Sequence, residues 1–87
     1  MYTLTHICDD ELQYKESFVE RIAAENMLKH IAANTVRENL QNIWVWEDLP
    51  ETDEEVCKYG LENGHIEQIS DTEVRCFDLD VITITEE

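Results

Sequence analysis

Glycine and proline are scarce in this chain, which has two glycines and one proline among 87 residues. That excludes the Gly-rich turns that cradle phosphates, in both the dinucleotide and the P-loop form. Nucleophile elbow, HExxH pair and calcium loop with a central glycine are all missing. Bases are scarce too: six Lys plus Arg stand against 21 Asp plus Glu, a net charge of −15. Such a surface repels nucleic acid and anionic membrane, and attracts basic protein surfaces or cations. No window approaches the ~18 apolar residues of a membrane span. The start, MYTLTHICDD, carries neither the basic region nor the apolar run of a signal peptide. Cys8, Cys57 and Cys76 include no CxxC, and an odd, widely spaced set is a poor disulfide framework. The expectation is a protein of a reducing cytoplasm.

What is present is enough for one small core. A chain of this length has room for a single domain, residues 1–87, and for modest stability. Its hydrophobic fraction of 43% is that of a globular protein, which argues against disorder despite the charge.

YTLTHIC (2–8) alternates and is rich in β-formers, so it reads as a first strand. Asp9 or Asp10 then suits a helix cap. Residues 11–33 contain no Gly or Pro, and Leu12, Val19, Ile22, Ala23, Met27 and Ile31 fall on one broad face. The pattern predicts a long helix, with a break near Glu25-Asn26. Thr35-Val-Arg-Glu38 has the form of a capping box and predicts a second, short helix. Trp44-Val45-Trp46 is β-prone. Thr52-Asp-Glu-Glu55 is another capping box and predicts a helix to about Tyr59, closed by Gly60 as a left-handed cap. Asn63-Gly64 signals a turn. Residues 65–69 and 73–85 read as two strands, and a bulge accounts for the phase slip in the second. The sum is an α+β fold. A small antiparallel sheet, made of the N-terminal strand and two C-terminal strands, packs on a long N-terminal helix, with one or two short helices besides.

Chemistry-bearing constellations are thin. Ser17 and Ser70 have no evident base partner, and the chain is short for enclosing a substrate pocket. We expect a non-enzymatic protein with no catalytic residue and no cofactor. His6-x-Cys8 places two ligand types on one strand face, and Cys57, His65 and Cys76 would complete a zinc site if the fold gathered them. Their spacing matches no compact zinc pattern. The three cysteines read more simply as small buried apolar residues, and the expected metal set is none. His30 reads as a structural residue.

The acids are the feature that stands out. Residues 1–46 carry a net charge of −3 and residues 47–87 a net charge of −12. High charge keeps a small protein in solution, but packing it this densely also destabilises the compact state. Glu47, Asp48, Glu51, Asp53, Glu54 and Glu55 form one cluster. Glu62, Glu67, Asp71, Glu73, Asp78 and Asp80 form a second, in which Asp78 and Asp80 are expected on one strand face. Carboxylates three or four apart on a helix, or two apart on a strand, lay out rows of negative charge comparable to a nucleic-acid backbone. Trp44, Trp46 and Leu49 beside the first cluster offer an apolar anchor of the kind that dominates interfaces.

In length and acidity, though in no motif, the chain resembles the small acidic proteins of phages and mobile elements that block host defence or DNA-handling enzymes, anti-CRISPR and anti-restriction proteins among them. The resemblance implies a phage protein of the host cytoplasm. It would act as an inhibitor whose partner is a basic nucleic-acid-binding protein, such as a CRISPR effector. Neither nucleic acid itself nor membrane is expected to bind. The alternative is a small structural or regulatory module whose acidity serves solubility, self-associating as a homodimer through its edge strands. A zinc-binding regulator stands behind both.

Overall fold

The computed structural model describes residues 1–44 and 50–87, the side chains of residues 42–44 excepted. The elements run β1 (Tyr2–Cys8), β2 (Glu11–Phe18), α1 (Arg21–Trp44), α2 (Asp53–Glu62), β3 (Ile66–Ser70), β4 (Glu73–Cys76) and β5 (Asp80–Glu86). The strands form one antiparallel sheet in the order β2-β1-β5-β4-β3. The expected α+β class therefore holds, with the N-terminal strand paired to the C-terminal one at the centre of the sheet.

The long helix begins ten residues later than the pattern suggested. Residues 11–18 form β2, paired along its length with β1. The reason lies in Asp9 and Asp10, which take φ of 52° and 64°. Two left-handed residues in succession make a tight hairpin turn whose twist matches that of the strands. Asp tolerates that region better than most residues. The expected helix cap there is therefore a hairpin, and Leu12 and Val19, assigned to the helix face, are 60% and 80% exposed.

α1 then runs unbroken past Glu25-Asn26 and through Thr35 to Trp44. Thr35 starts no second helix. Its Oγ1 donates to the Ile31 carbonyl at 2.8 Å, a bond that lets a hydroxyl sit buried inside a helix. Ala24, Ala32, Val36 and Leu40 are buried at multiples of four residues, with Leu28 partly buried among them. This is the inward stripe of an amphipathic helix. Trp44, the first residue of the β-prone Trp44-Val45-Trp46, is the last residue of α1.

The core lies between α1, α2 and one face of the sheet, where Leu4, Ile66, Val74, Cys76, Ile82 and Ile84 are buried. Thr52 caps α2 as expected, its Oγ1 accepting from the Glu55 amide at 3.1 Å. Gly60 is not the terminal cap. α2 continues to Glu62, and a Cβ on Gly60 would stand 2.7 Å from Ile66 Cδ1 and 3.3 Å from Val36 Cγ2. Gly60 is small so that α2 can lie against both neighbours. The turn is made by Asn63, whose amide donates to the Tyr59 carbonyl at 3.0 Å, and by Gly64 at φ 76°.

The expected strand 73–85 is two strands. Phe77 and Asp78 take φ of 54° and 62°, so the phase slip is a hairpin loop and not a bulge. A left-handed Phe is costly. It is held by its amide, which donates to the His65 carbonyl at 3.0 Å, and by its ring, stacked on His65 at 5.1 Å between centroids.

Candidate protein-binding surface

The acids of α2 are arranged first by local helix physics. Asp53, Glu54 and Glu55 fill its first turn, where carboxylates are favoured by the helix dipole and the free amides. Val56 and Gly60 are buried, so Asp53 lies near the inward side while Glu54 and Glu55 face outward.

Asp53 is engaged in a closed ring of hydrogen bonds with α1. Its Oδ1 accepts from Arg37 Nη1 at 2.7 Å. Arg37 Nη1 also donates to Asn34 Oδ1 at 2.9 Å. Asn34 Nδ2 lies 3.1 Å from His30 Nε2, and His30 Nδ1 donates to Asp53 Oδ2 at 2.9 Å. A carboxylate can only accept, so the ring sets the His30 tautomer with Nδ1 protonated and Nε2 accepting from Asn34. The hydrogen bond from His30, and then that from Arg37, hold the Asp53 carboxyl below its ordinary value.

On the outward side of α2, Glu55, Lys58 and Glu62 follow one another at helical spacing, as do Glu54, Lys58 and Leu61. Glu51 precedes the cap. All six are exposed, and Leu61 keeps 47% of its surface open. This is an exposed apolar side chain between Lys58 and Glu62, on the helix whose first turn holds the carboxylates.

The second set of acids does not form a single row. Asp78 lies in the β4–β5 loop, and Asp80 points to the helix-covered side of β5, so the two do not share a strand face. Asp80 accepts from His6 Nε2 at 2.8 Å and from the Cys8 thiol. Glu67 and Glu73 stand on the uncovered face. Glu67 is 3.9 Å from Arg75 Nη1, and Glu73 accepts from Thr83 Oγ1 at 3.4 Å. Asp71 lies in the β3–β4 turn, at the opposite end of the sheet from Asp78. It borders an open groove shared with Arg21, Glu25 and Lys29. Glu47 and Asp48 lie outside the described residues, as do Trp46 and Leu49.

Three acids that the pattern left out join Asp78. The Asp9 amide donates to the Leu79 carbonyl at 3.1 Å, which brings the two hairpin loops side by side. Asp9, Asp10, Glu11 and Asp78 are all exposed at that end. The sequence carried half of the signal: Asp9-Asp10 follows the alternating run of β1, and aspartate suits a left-handed hairpin turn as well as a helix cap.

The thiols are not poised for nucleophilic chemistry. Asp80 hydrogen-bonds the Cys8 thiol and pushes its pKa up, as do burial and the charges of Asp80, Asp9 and Glu11. Burial pushes Cys57 up and Cys76 to about 12. Thiolate chemistry needs the opposite shift. Among the described residues, no three of His, Cys, Asp and Glu come together as a metal site, and Cys76 alone of the three cysteines is fully buried. No helix among the described residues is long and apolar enough to cross a membrane. Comparison with known protein families, with characterised proteins and with solved structures finds no match to this chain.

Proposed function

We propose that this protein is a non-enzymatic inhibitor that docks on a basic, nucleic-acid-binding surface of a partner protein and occludes it. A phage or mobile-element anti-defence protein, such as an anti-CRISPR, is the most concrete form. The observation that carries the reading is the outward side of α2, where Glu51, Glu54, Glu55 and Glu62 are exposed and Leu61 is exposed at the same helix's C-terminal end. Clustered carboxylates on a rigid helix steer a basic partner and release its bound counterions, and an apolar contact on the same helix then slows dissociation. The ring through Asp53 holds that helix in place before binding, which reduces the entropy lost on association.

The test is affinity capture from bacterial lysate with the tagged protein, eluted in steps of rising salt and identified by mass spectrometry. A nucleic-acid enzyme held at low salt, released as salt rises and displaced by DNA is the expected result. A partner that DNA does not displace, or a capture unchanged when Glu51, Glu54, Glu55 and Glu62 are all replaced by Lys, would sink the reading. Asp53 stays unchanged in that variant, because its loss would loosen α2 itself.

A further inference from the structure

We propose that the uncovered face of the sheet docks a second copy of this chain, sheet to sheet, about a twofold axis parallel to the strands and midway between β1 and β5. Side chains alternate across a strand, so the residues between the core positions project away from α1. On β1 and β5 these are Thr3, Thr5 and Ile7, and Val81, Thr83 and Thr85, of which Thr3 is already buried by its own chain through hydrogen bonds to Ser17 and Glu87. No described element lies over them. The face is β-branched and uncharged at its centre, as surfaces that pack on another sheet are.

Its charges are nearly balanced although the chain's are not. In a protein of net charge −15, this face carries Lys15 and Arg75 against Glu67 and Glu73, with Glu87 at its rim, where its carboxylate accepts from Thr3 Oγ1 at 3.0 Å. Their positions follow from the ladder register. Lys15 stands opposite Thr5, Thr5 opposite Thr83, and Thr83 opposite Glu73. One level of the sheet therefore reads Lys15, Thr5, Thr83, Glu73 from left to right. A twofold axis along the strands keeps the level and reverses the order. It sets Lys15 of one copy over Glu73 of the other, twice, and Thr5 over Thr83.

The adjacent level reads Leu12, Ile7, Val81, Arg75. The same axis sets Ile7 over Val81, and Leu12 over the aliphatic stem of Arg75. Self-complementarity under one axis is the requirement for a closed homodimer. Packed sheets cross at about 30° and lie about 10 Å apart. The outer positions are offset by a few Å at most, within the reach of Lys and Glu side chains. A basic partner would meet Lys15 and Arg75 on this face, so the charge pattern selects a second copy over the partner proposed for α2. A face of five short strands is at the small end of stable interfaces, so a micromolar dimer is expected.

Within one chain Lys15 and Glu73 are three strands apart, so any coupling between them passes between molecules. Sedimentation equilibrium of the full chain is expected to show a monomer–dimer equilibrium. Lys15→Glu alone and Glu73→Lys alone should each weaken it at least tenfold, because each variant opposes like charges twice. An equimolar mixture of the two variants restores both pairs, and should dimerise within about threefold of the unchanged protein. Thermal melts of each variant show that it is folded, and the mixture needs no further substitution. A chain monomeric at several hundred micromolar would overturn the proposal. So would a dimer indifferent to both single variants, which would move the contact to an edge strand, or a mixture no tighter than its components.

Discussion

Arg37 Nη1 donates to Asp53 Oδ1 at 2.7 Å across the gap between the two helices. The bond joins the side of α1 to the first turn of α2, and His30 closes on the other oxygen. Asp53 is thus the residue that orients the acidic helix. Its carboxyl is about one-third exposed, so solvent screens the interaction, and Asp53→Asn should cost about 1 kcal/mol at neutral pH. The unfolded carboxyl titrates near 3.8, and the folded one lower. The folded state therefore binds fewer protons in that interval, and the contribution is whole above about pH 4 and lost as pH falls through the folded value. Urea titrations should show the difference between the protein and Asp53→Asn shrinking below pH 4. A difference that grows instead would reverse the sign of the shift. Crowding of carboxylates alone would have raised their folded values, with stability rising from pH 7 toward 5. Asp53 runs the other way because it found two donors.

Gly60→Ala should destabilise the protein although alanine is the better helix former. The gain in propensity is about 1 kcal/mol. Against it, the new methyl would meet Ile66 at 2.7–2.8 Å, and overpacking costs about 1–3 kcal/mol. Ile66 is itself buried under α2 and has little room to yield. A lower melting temperature is expected, with part of the loss recovered in Gly60→Ala combined with Ile66→Val, which removes Cδ1. Gly64 is the contrasting case. Nothing stands within 4 Å of a Cβ there, but φ is 76°, so Gly64→Ala meets only the backbone penalty of about 1 kcal/mol.

What could be read before folding was what local chemistry decides. β1 alternates, Thr52 caps a helix three residues ahead of Glu55, and Asn63-Gly64 turns the chain; each signal lies within a few residues. ELQYKESF was misread as helix because its composition favours one, and its strand state comes from pairing with β1. Asp9-Asp10 was ambiguous, since aspartate both caps helices and tolerates the left-handed region. The charged site was hardest of all. Asp53 is tied to Arg37 from 16 residues away, and Asp80 to His6 from 74 residues away. Both were counted as free surface charge because nothing near them in sequence announces a partner.

Asp80→Asn should speed alkylation of Cys8. The Asp80 carboxylate accepts the Cys8 thiol hydrogen and repels the thiolate. Removing its charge favours the thiolate, so labelling with iodoacetamide near pH 8 should rise several-fold at Cys8. Cys76, fully buried and pushed up to about 12, should label only as fast as the protein opens. Peptide mapping after timed labelling separates the three sites. A Cys8 rate unchanged in Asp80→Asn would mean that the hydrogen bond is not populated in solution.

The acids on the outward side of α2 hold two roles that a choice of substitution can separate. Glu54 and Glu55 stabilise the helix start by about 0.3–1 kcal/mol each, and replacement by Lys reverses that contribution as well as the surface charge. Replacement by Gln removes the charge with a smaller loss of helix stability. Glu54→Gln with Glu55→Gln and Glu62→Gln should leave the melting transition cooperative and lower it by a few degrees. If the face steers a basic partner, the triple variant should lose affinity mainly at low salt, and its salt dependence should flatten, because fewer counterions are displaced on binding. Leu61→Ala should do the reverse, speeding dissociation at every salt concentration while leaving the slope alone. Binding isotherms of both variants across a salt series distinguish the two contributions. Equal effects from both, with unchanged slopes, would show that α2 contributes shape to the contact and not charge.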